Sequence, residues 1–445
     1  MTDTESGFLG EHREESRRND GDKAALVTPF LRHLPFHPSC FLGYGAAILR
    51  RMCDLDVIDL NAEIHCRHGE DLTTALRVMD ETEVVWDTMH LHPLYGETED
   101  RIDGYYAEIP WNTYHAVYIT APSWFPTVPT EAVLRLGRAI RRRSPETRVL
   151  FFGTSPGSWT SEWELQRHGV QVVHLNSLFS MEAKANPIRY DDLPIPLYEH
   201  KENYLFDLVP FVLKHGCRWA QCRFCSLCKG WNSGYLERSP RIAAEEFELL
   251  VERYAPGFLV CRDNALNGDN LMDFCRNIES VNKPWCGMSR ADLSGKQIEA
   301  LRRAGCRMIF FGLESGSDRT LRAMNKGITS KQMSAFIKTM DANGMLPAPS
   351  LVIGTPGEGK EDFDETVRFV ADHRRYFDVV NVYPFMPTPY AEFGTQNEMP
   401  SSETPIRLIH FTMKCEDLGL RVCVGEQCAE YVLFETMCRD NPDAS

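Results

Sequence analysis

From Leu208 to Tyr383 short apolar runs alternate with amphipathic stretches, and this rhythm constrains the fold more than any other feature of the chain. Leu208–His215 (LVPFVLKH), Phe258–Asp263, Trp285–Arg290, Arg307–Leu313 (RMIFFGL), Leu346–Gly354 and Val379–Tyr383 read as buried strands. Arg241–Tyr254, Gly268–Ser280, Gly295–Ala304, Thr329–Asn343 and Glu361–His373 read as the helices between them. Six such units predict a partial (β/α)6 barrel of TIM type, whose reactive groups lie at the carboxyl ends of its strands.

A second alternation precedes it. Ala24–Pro29, Val57–Leu60, Tyr114–Ala121, Arg148–Gly153 and Val170–Leu175 read as strands, with helices over Phe41–Arg51, Glu131–Arg142 and Ser161–His168. This predicts an α/β doubly wound (Rossmann-like) parallel sheet within residues 23–185. Residues 69–113 read as an insertion over the site, with Trp111 and Trp124 as core or loop anchors. Asn186–Tyr198, with its prolines, marks a linker over residues 186–200, followed by the barrel over 201–395 and an extension over 396–445. Residues 1–22, polar and charged, read as a disordered leader.

At 445 residues the chain is long enough for two or three domains. No run of about 18 apolar residues predicts a membrane span, and the N-terminus lacks the apolar core of a secretory signal. A cytoplasmic protein is expected. There the 15 cysteines stay free or bind metal. The net charge of −15 reads as a solubilising surface or as a bias toward neutral or cationic substrates, and against nucleic acid. Basic density is confined to Arg138–Arg143, a solvated helix face.

At the end of the first barrel strand, Gly216–Trp231 (GCRWAQCRFCSLCKGW) places four cysteines within twelve positions. They are too close to pair as disulfides without strain, and they can converge on one metal centre. Cys217, Cys222 and Cys225 are spaced C-x4-C-x2-C; Cys222, Cys225 and Cys228 form a second register. The spacing of Cys415, Cys423, Cys428 and Cys438 matches no compact iron–sulfur pattern, so free thiols are expected there.

The cysteine loop, Arg290-Ala-Asp292, Gly312-Leu-Glu314-Ser315-Gly316, Met324-Asn-Lys326-Gly327 and Ile353-Gly354-Thr-Pro356-Gly357-Glu358 follow one another at strand ends. In these strings the chain resembles a radical S-adenosylmethionine (SAM) enzyme, across about residues 24–395 with the N-terminal half included. That half resembles a cobalamin-binding domain through its Pro-rich loop after the first strand, LGYGAA, VIDLN and FFGTSP. The family's usual loop is C-x3-C-x2-C, and this one is a residue longer. The Asp-x-His-x-x-Gly string that supplies a cobalt ligand is missing, which leaves cobalamin an open cofactor.

The resemblance implies a 4Fe-4S cluster on Cys217, Cys222 and Cys225, SAM on its open iron, and a 5′-deoxyadenosyl radical from reductive cleavage. Phe224 would lie against the adenine. Arg290 would face the methionyl carboxylate, or else pair with Asp292 or Glu314. Glu314 and Ser315 would contact the ribose or amine, and Ile353 and Gly354 would line the adenine near Tyr383. Asp263 is either a ligand contact or a helix N-cap, and Glu358 reads as a cap for the helix near Glu361. An electron donor such as flavodoxin or ferredoxin is implied, and a separate reductase that finishes the product is a further candidate partner.

A small-molecule substrate from natural-product (antibiotic) biosynthesis is expected, and the favoured reaction is radical dehydration (deoxygenation) of an aminosugar, with Asp263, Glu314 and Tyr383 as candidate acid–base residues. Chains of that kind, the aminoglycoside-deoxygenating radical SAM dehydratases, look similar in size and acidity. The alternatives are cobalamin-dependent C-methylation of a peptide or small molecule, which the GCRWAQC loop resembles, and RNA modification, which the charge opposes.

Overall fold

The structure, a computed structural model, describes residues 23–30, 35–67, 84–86, 99–120, 130–153, 162–174, 190–225, 235–387, 391–396, 400 and 402–440. The leader over 1–22, Trp124 and Cys228 lie outside the described residues. Along the chain the strands are β1 (Lys23–Thr28), β2 (Asp54–Asp59), β3 (Val84–Trp86), β4 (Ala116–Ile119), β5 (Arg148–Gly153), β6 (Gln171–His174), β7 (Leu208–Phe211), β8 (Lys214–His215), β9 (Leu236–Glu237), β10 (Phe258–Cys261), β11 (Trp285–Ser289), β12 (Cys306–Glu314), β13 (Leu346–Ile353), β14 (Val379–Pro384) and β15 (Arg421–Val424). Two compact units emerge: Met1–Arg67 with Gly96–Asn203, and His68–Tyr95 with Tyr204–Ser445.

The first unit is a parallel sheet of order β2-β1-β4-β5-β6. The chain leaves β1 toward β2 and returns on the other side at β4, so the switch point of this doubly wound sheet lies between β1 and β4. Ala24–Val27 in β1 are fully buried, as a central strand covered on both faces requires. At the end of β1, Thr28 Oγ1 donates to Asp59 Oδ1 at 2.6 Å. Asp59 in turn caps the helix Leu60–Cys66 by accepting from Ala62 N at 3.0 Å. Just past β4, Thr120 is fully buried, and among the described residues its hydroxyl has no hydrogen-bond partner. Trp111 is a core anchor, 1% exposed, with its indole N–H on Tyr106 O at 2.7 Å.

The expected linker is part of this unit. Leu197 N donates to Gly43 O at 3.0 Å. Tyr198 lies against Gly43 so closely that a Cβ there would overlap its ring. The prolines of this segment end regular structure without separating it from the fold.

The second unit is an eight-stranded sheet of order β3-β15-β14-β13-β12-β11-β10-β7, parallel at every pairing. The six expected strands stand in sequence order within it. Phe211, Phe247, Phe274 and Trp285 interlock at centroid separations of 5.2–6.2 Å. They bind β7 and β11 to the helices Pro240–Tyr254 and Leu271–Ile278.

Two strands of this sheet were not expected. β15, from the C-terminal extension, covers the edge of β14, and β3, from the presumed insertion over 69–113, covers β15. An exposed edge of buried parallel sheet needs such a cover. The helix Glu426–Asp440 sends Glu430 to Arg262, beyond β10, at 2.6 Å. Among the described residues no helix is long and apolar enough to cross a membrane.

Candidate active site

The cysteine loop leaves β8 at the carboxyl end of β7. Cys222 is buried, Cys217 and Cys225 are half-buried, and none of the three is disulfide-bonded among the described residues. The turn Ala323–Gly327 grips the loop through its backbone. Arg223 N donates to Met324 O at 2.9 Å, Trp219 Nε1 to Asn325 O at 3.0 Å, and Asn325 Nδ2 returns a bond to Gln221 O at 2.8 Å. The turn can present these groups because Asn325 and Gly327 adopt left-handed backbone, φ 52° and 71°. A Cβ at Gly327 would overlap the Trp219 indole. Elsewhere on the loop, Arg223 Nε donates to Glu392 Oε1 at 2.9 Å while its guanidinium covers the Phe393 ring.

Arg290 follows β11 and is 6% exposed. Its Nε donates to Asp292 Oδ2 at 3.0 Å, its Nη2 to Lys326 O at 2.8 Å and its Nη1 to Cys222 Sγ at 3.9 Å. The guanidinium also stands 4.9 Å from the Trp219 ring centroid. Of the two roles expected for Arg290, the ion pair with Asp292 is the one the geometry shows.

Glu314 ends β12 after a bulge, with φ 61°, and accepts from Lys326 Nζ at 2.7 Å. Both side chains are buried. Gly312 leaves room for this pair, since a Cβ there would overlap the Glu314 carboxylate. Lys326 Nζ also stands 5.9 Å from the Phe224 ring centroid, and Phe224 packs against Met324, Phe385 and Phe393. Burial pushes the Cys222 thiol up to about 11, opposed by the charges of Lys326 and Arg290.

The other expected site residues turn to partners of their own. Ser315 Oγ bonds Thr366 Oγ1 at 2.9 Å. Gly354, with φ 86°, donates its N–H to Glu358 Oε2 at 3.2 Å, and Ile353 is 1% exposed. Glu358 does not cap the following helix. It folds back on its own turn and pairs with Arg407 at 3.0 Å, while Asp362 accepts from Gly359 N at the helix start. Asp263 is neither helix cap nor exposed group: it is 1% exposed, and its Oδ1 ties Leu213 N and Lys214 N at 2.8 and 3.1 Å. Its Oδ2 has no hydrogen-bond partner, and burial lifts its pKa to about 6. Tyr383 is half-buried near the end of β14.

The structure thus brings Cys222, Phe224, Arg290 and Glu314 together around Lys326. Residues 211–370 match the family model described as "Radical SAM superfamily". The chain carries a radical SAM domain. Over 189 residues it is 30% identical to an uncharacterized methyltransferase of Pyrococcus horikoshii, across 40% of this chain and 41% of that protein. The chain thus spans less than half the length of that relative. The radical SAM methyltransferase TsrM of Kitasatospora setae, solved with cobalamin and a [4Fe-4S] cluster bound, is similar with a TM-score of 0.59 at 15% identity, over 84% of this chain and 77% of that one. The cobalamin-dependent radical SAM enzyme OxsB is similar with a TM-score of 0.54 at 13% identity, over 95% of this chain and 61% of that one. These likenesses establish the fold of both sheets.

A radical SAM domain works with a 4Fe-4S cluster and SAM, and the donor set fits the cluster. Three cysteines sit on one anchored loop, and the buried one faces two cations that oppose the charge of thiolate ligands. No three His, Cys, Asp or Glu side chains among the described residues form a group able to hold a metal ion; the loop delivers three sulfurs without closing them on a common point. Cys217, Cys222 and Cys225 would hold the cluster.

Lys326, Trp219 and Asn325 escaped the reading of site roles from sequence. The available signal was Asn325-Lys-Gly327, a pair of left-handed-tolerant residues that marks a special turn.

Proposed function

We propose that the protein is a cobalamin-dependent radical SAM methyltransferase acting on a small molecule or a peptide. The observation that carries the reading is the presence, in one chain, of a radical SAM domain and a doubly wound sheet whose switch point holds a buried hydroxyl that has no partner among the described residues. Thr120 Oγ1, past the carboxyl end of β4, is where such a sheet presents its ligand. A cofactor amide or hydroxyl seated there would complete its hydrogen bonding. TsrM holds cobalamin, OxsB is cobalamin-dependent, and the Pyrococcus relative is an uncharacterized methyltransferase; these likenesses support the same reading.

When bound, the cluster and SAM supply one-electron chemistry and a methyl group, and cobalamin supplies a methyl carrier. The chain's own contribution is placement. The Ala323–Gly327 turn fixes the loop bearing Cys217, Cys222 and Cys225, Phe224 offers an apolar wall, and the Lys326–Glu314 pair holds β12 to that turn. A one-electron donor such as flavodoxin or ferredoxin would serve it.

The expectation of aminosugar dehydration finds no support in these likenesses.

The test is to purify the protein anaerobically from cells supplied with cobalamin, record its absorption spectrum, and assay methyl transfer from methyl-labelled SAM to candidate acceptors. Stoichiometric cobalamin with label in an acceptor is the expected result. Protein that cleaves SAM yet retains no cobalamin overturns the reading.

A further inference from the structure

Arg290 is placed by four contacts, three of which belong to the cysteine loop or the turn that grips it. Nη1 addresses Cys222 Sγ, Nη2 the Lys326 carbonyl, Nε the Asp292 carboxylate, and the guanidinium face the Trp219 indole. Its own N–H is held by Asn267 Oδ1 at 2.8 Å, and Asn267 Nδ2 also donates to Asp292 Oδ1 at 2.6 Å. At 6% exposure the guanidinium is desolvated, so its field on the sulfur is weakly screened.

We infer that Arg290 is a positioning residue of the cluster, an N–H···S donor to Cys222 whose charge, graded by Asp292, sets the ease of cluster reduction. This rests on the reading of Cys222 as a cluster ligand. Hydrogen bonds and positive charge at a ligand sulfur favour the more electron-rich, reduced state. The planar fork suits the task, because one edge can serve the carbonyl and sulfur while Nε serves the carboxylate. Asp292 is 40% exposed and meets Nε, whereas the sulfur meets Nη1, so the carboxylate moderates the cation through a different nitrogen.

The two residues therefore act with opposite sign. Removing the cation (R290Q) disfavours reduction, and removing its counter-charge (D292N) favours it. The experiment is an anaerobic redox titration of the full-length, reconstituted protein with dithionite, followed by electron paramagnetic resonance without SAM, with iron content measured on every sample. The reduced-to-oxidised ratio at a fixed potential is expected to fall about tenfold in R290Q, about 59 mV for a one-electron couple, and to rise in D292N. A merely structural role would change iron content and leave the potential of the loaded fraction unmoved. If R290Q fails to load, the rise in D292N decides. Wild-type protein that binds no iron overturns the reading of Cys222 beneath the proposal. Wild-type protein with about four irons, and a potential shared by D292N and every loaded R290Q sample, overturns the role of Arg290 alone.

Discussion

Lys326 Nζ donates to Glu314 Oε1 at 2.7 Å, and neither side chain is more than 9% exposed. This pair joins the end of β12 to the turn that grips the cysteine loop. Breaking it from one side strands a buried charge, which costs about 3–5 kcal/mol. Lys326→Met is therefore expected to lower the denaturation midpoint of the second unit and its iron content. The double variant Glu314→Gln/Lys326→Met should recover most of the stability, because no charge is then left unpaired. A double-variant loss equal to the sum of the Glu314→Gln and Lys326→Met losses, measured by denaturant titration, would show that the pair contributes no coupling.

Gly327 tests the grip itself. Ala there takes on a left-handed backbone at a cost of about 1–2 kcal/mol and displaces the Trp219 indole from Asn325 O. Gly327→Ala is expected to keep the far-ultraviolet circular dichroism of the wild type and to bind less iron on reconstitution. Full iron loading would place the control of the loop elsewhere.

Much of this site was legible because strand rhythm and strand-end motifs are local signals. Arg290, Glu314 and Gly354 stand at strand ends within the strings that carry the family resemblance. Their partners were not legible, because a partner is a tertiary fact: Arg290 binds the Lys326 carbonyl, and Glu358 finds Arg407 on a helix of the C-terminal extension. The same limit explains β3. Three residues carry too short a period to read, and their pairing with β15 joins distant parts of the sequence. Asp263 shows another limit of the sequence. A carboxylate at a strand end reads as reactive, but two backbone N–H groups beyond β7 needed an acceptor and took it.

Asp263 also leaves a signature in pH. Burial raises its pKa from 3.8 to about 6, so between those values the folded protein holds the proton more than the unfolded chain does. Folding stability then falls as pH rises through this window, by up to about 3 kcal/mol at 1.36 kcal/mol per unit. Asp263→Asn keeps the Oδ1 acceptor and removes the ionisation. Its stability between pH 4 and 6 is expected to vary less than that of the wild type, with a gain at pH 7 no larger than that bound. Denaturant midpoints across this range check it, and parallel curves for the two proteins would refute the burial assignment.

Thr120 separates a cofactor contact from an idle defect. A buried hydroxyl without a partner costs about 1–3 kcal/mol, and valine has nearly its shape without its polarity. In protein free of cobalamin, Thr120→Val should therefore stabilise the first unit by about 1 kcal/mol. In protein purified from cells supplied with cobalamin, the same substitution should lower the cobalamin retained per chain, because the group that met Thr120 Oγ1 loses its partner. The opposite signs are the point: a hydroxyl with no ligand gives the stability gain alone. Thermal melts of the cofactor-free protein and absorption spectra of the loaded protein, taken on the same two variants, decide between them. Undiminished cobalamin in Thr120→Val would remove Thr120 from the binding site and leave the switch point between β1 and β4 without its marker.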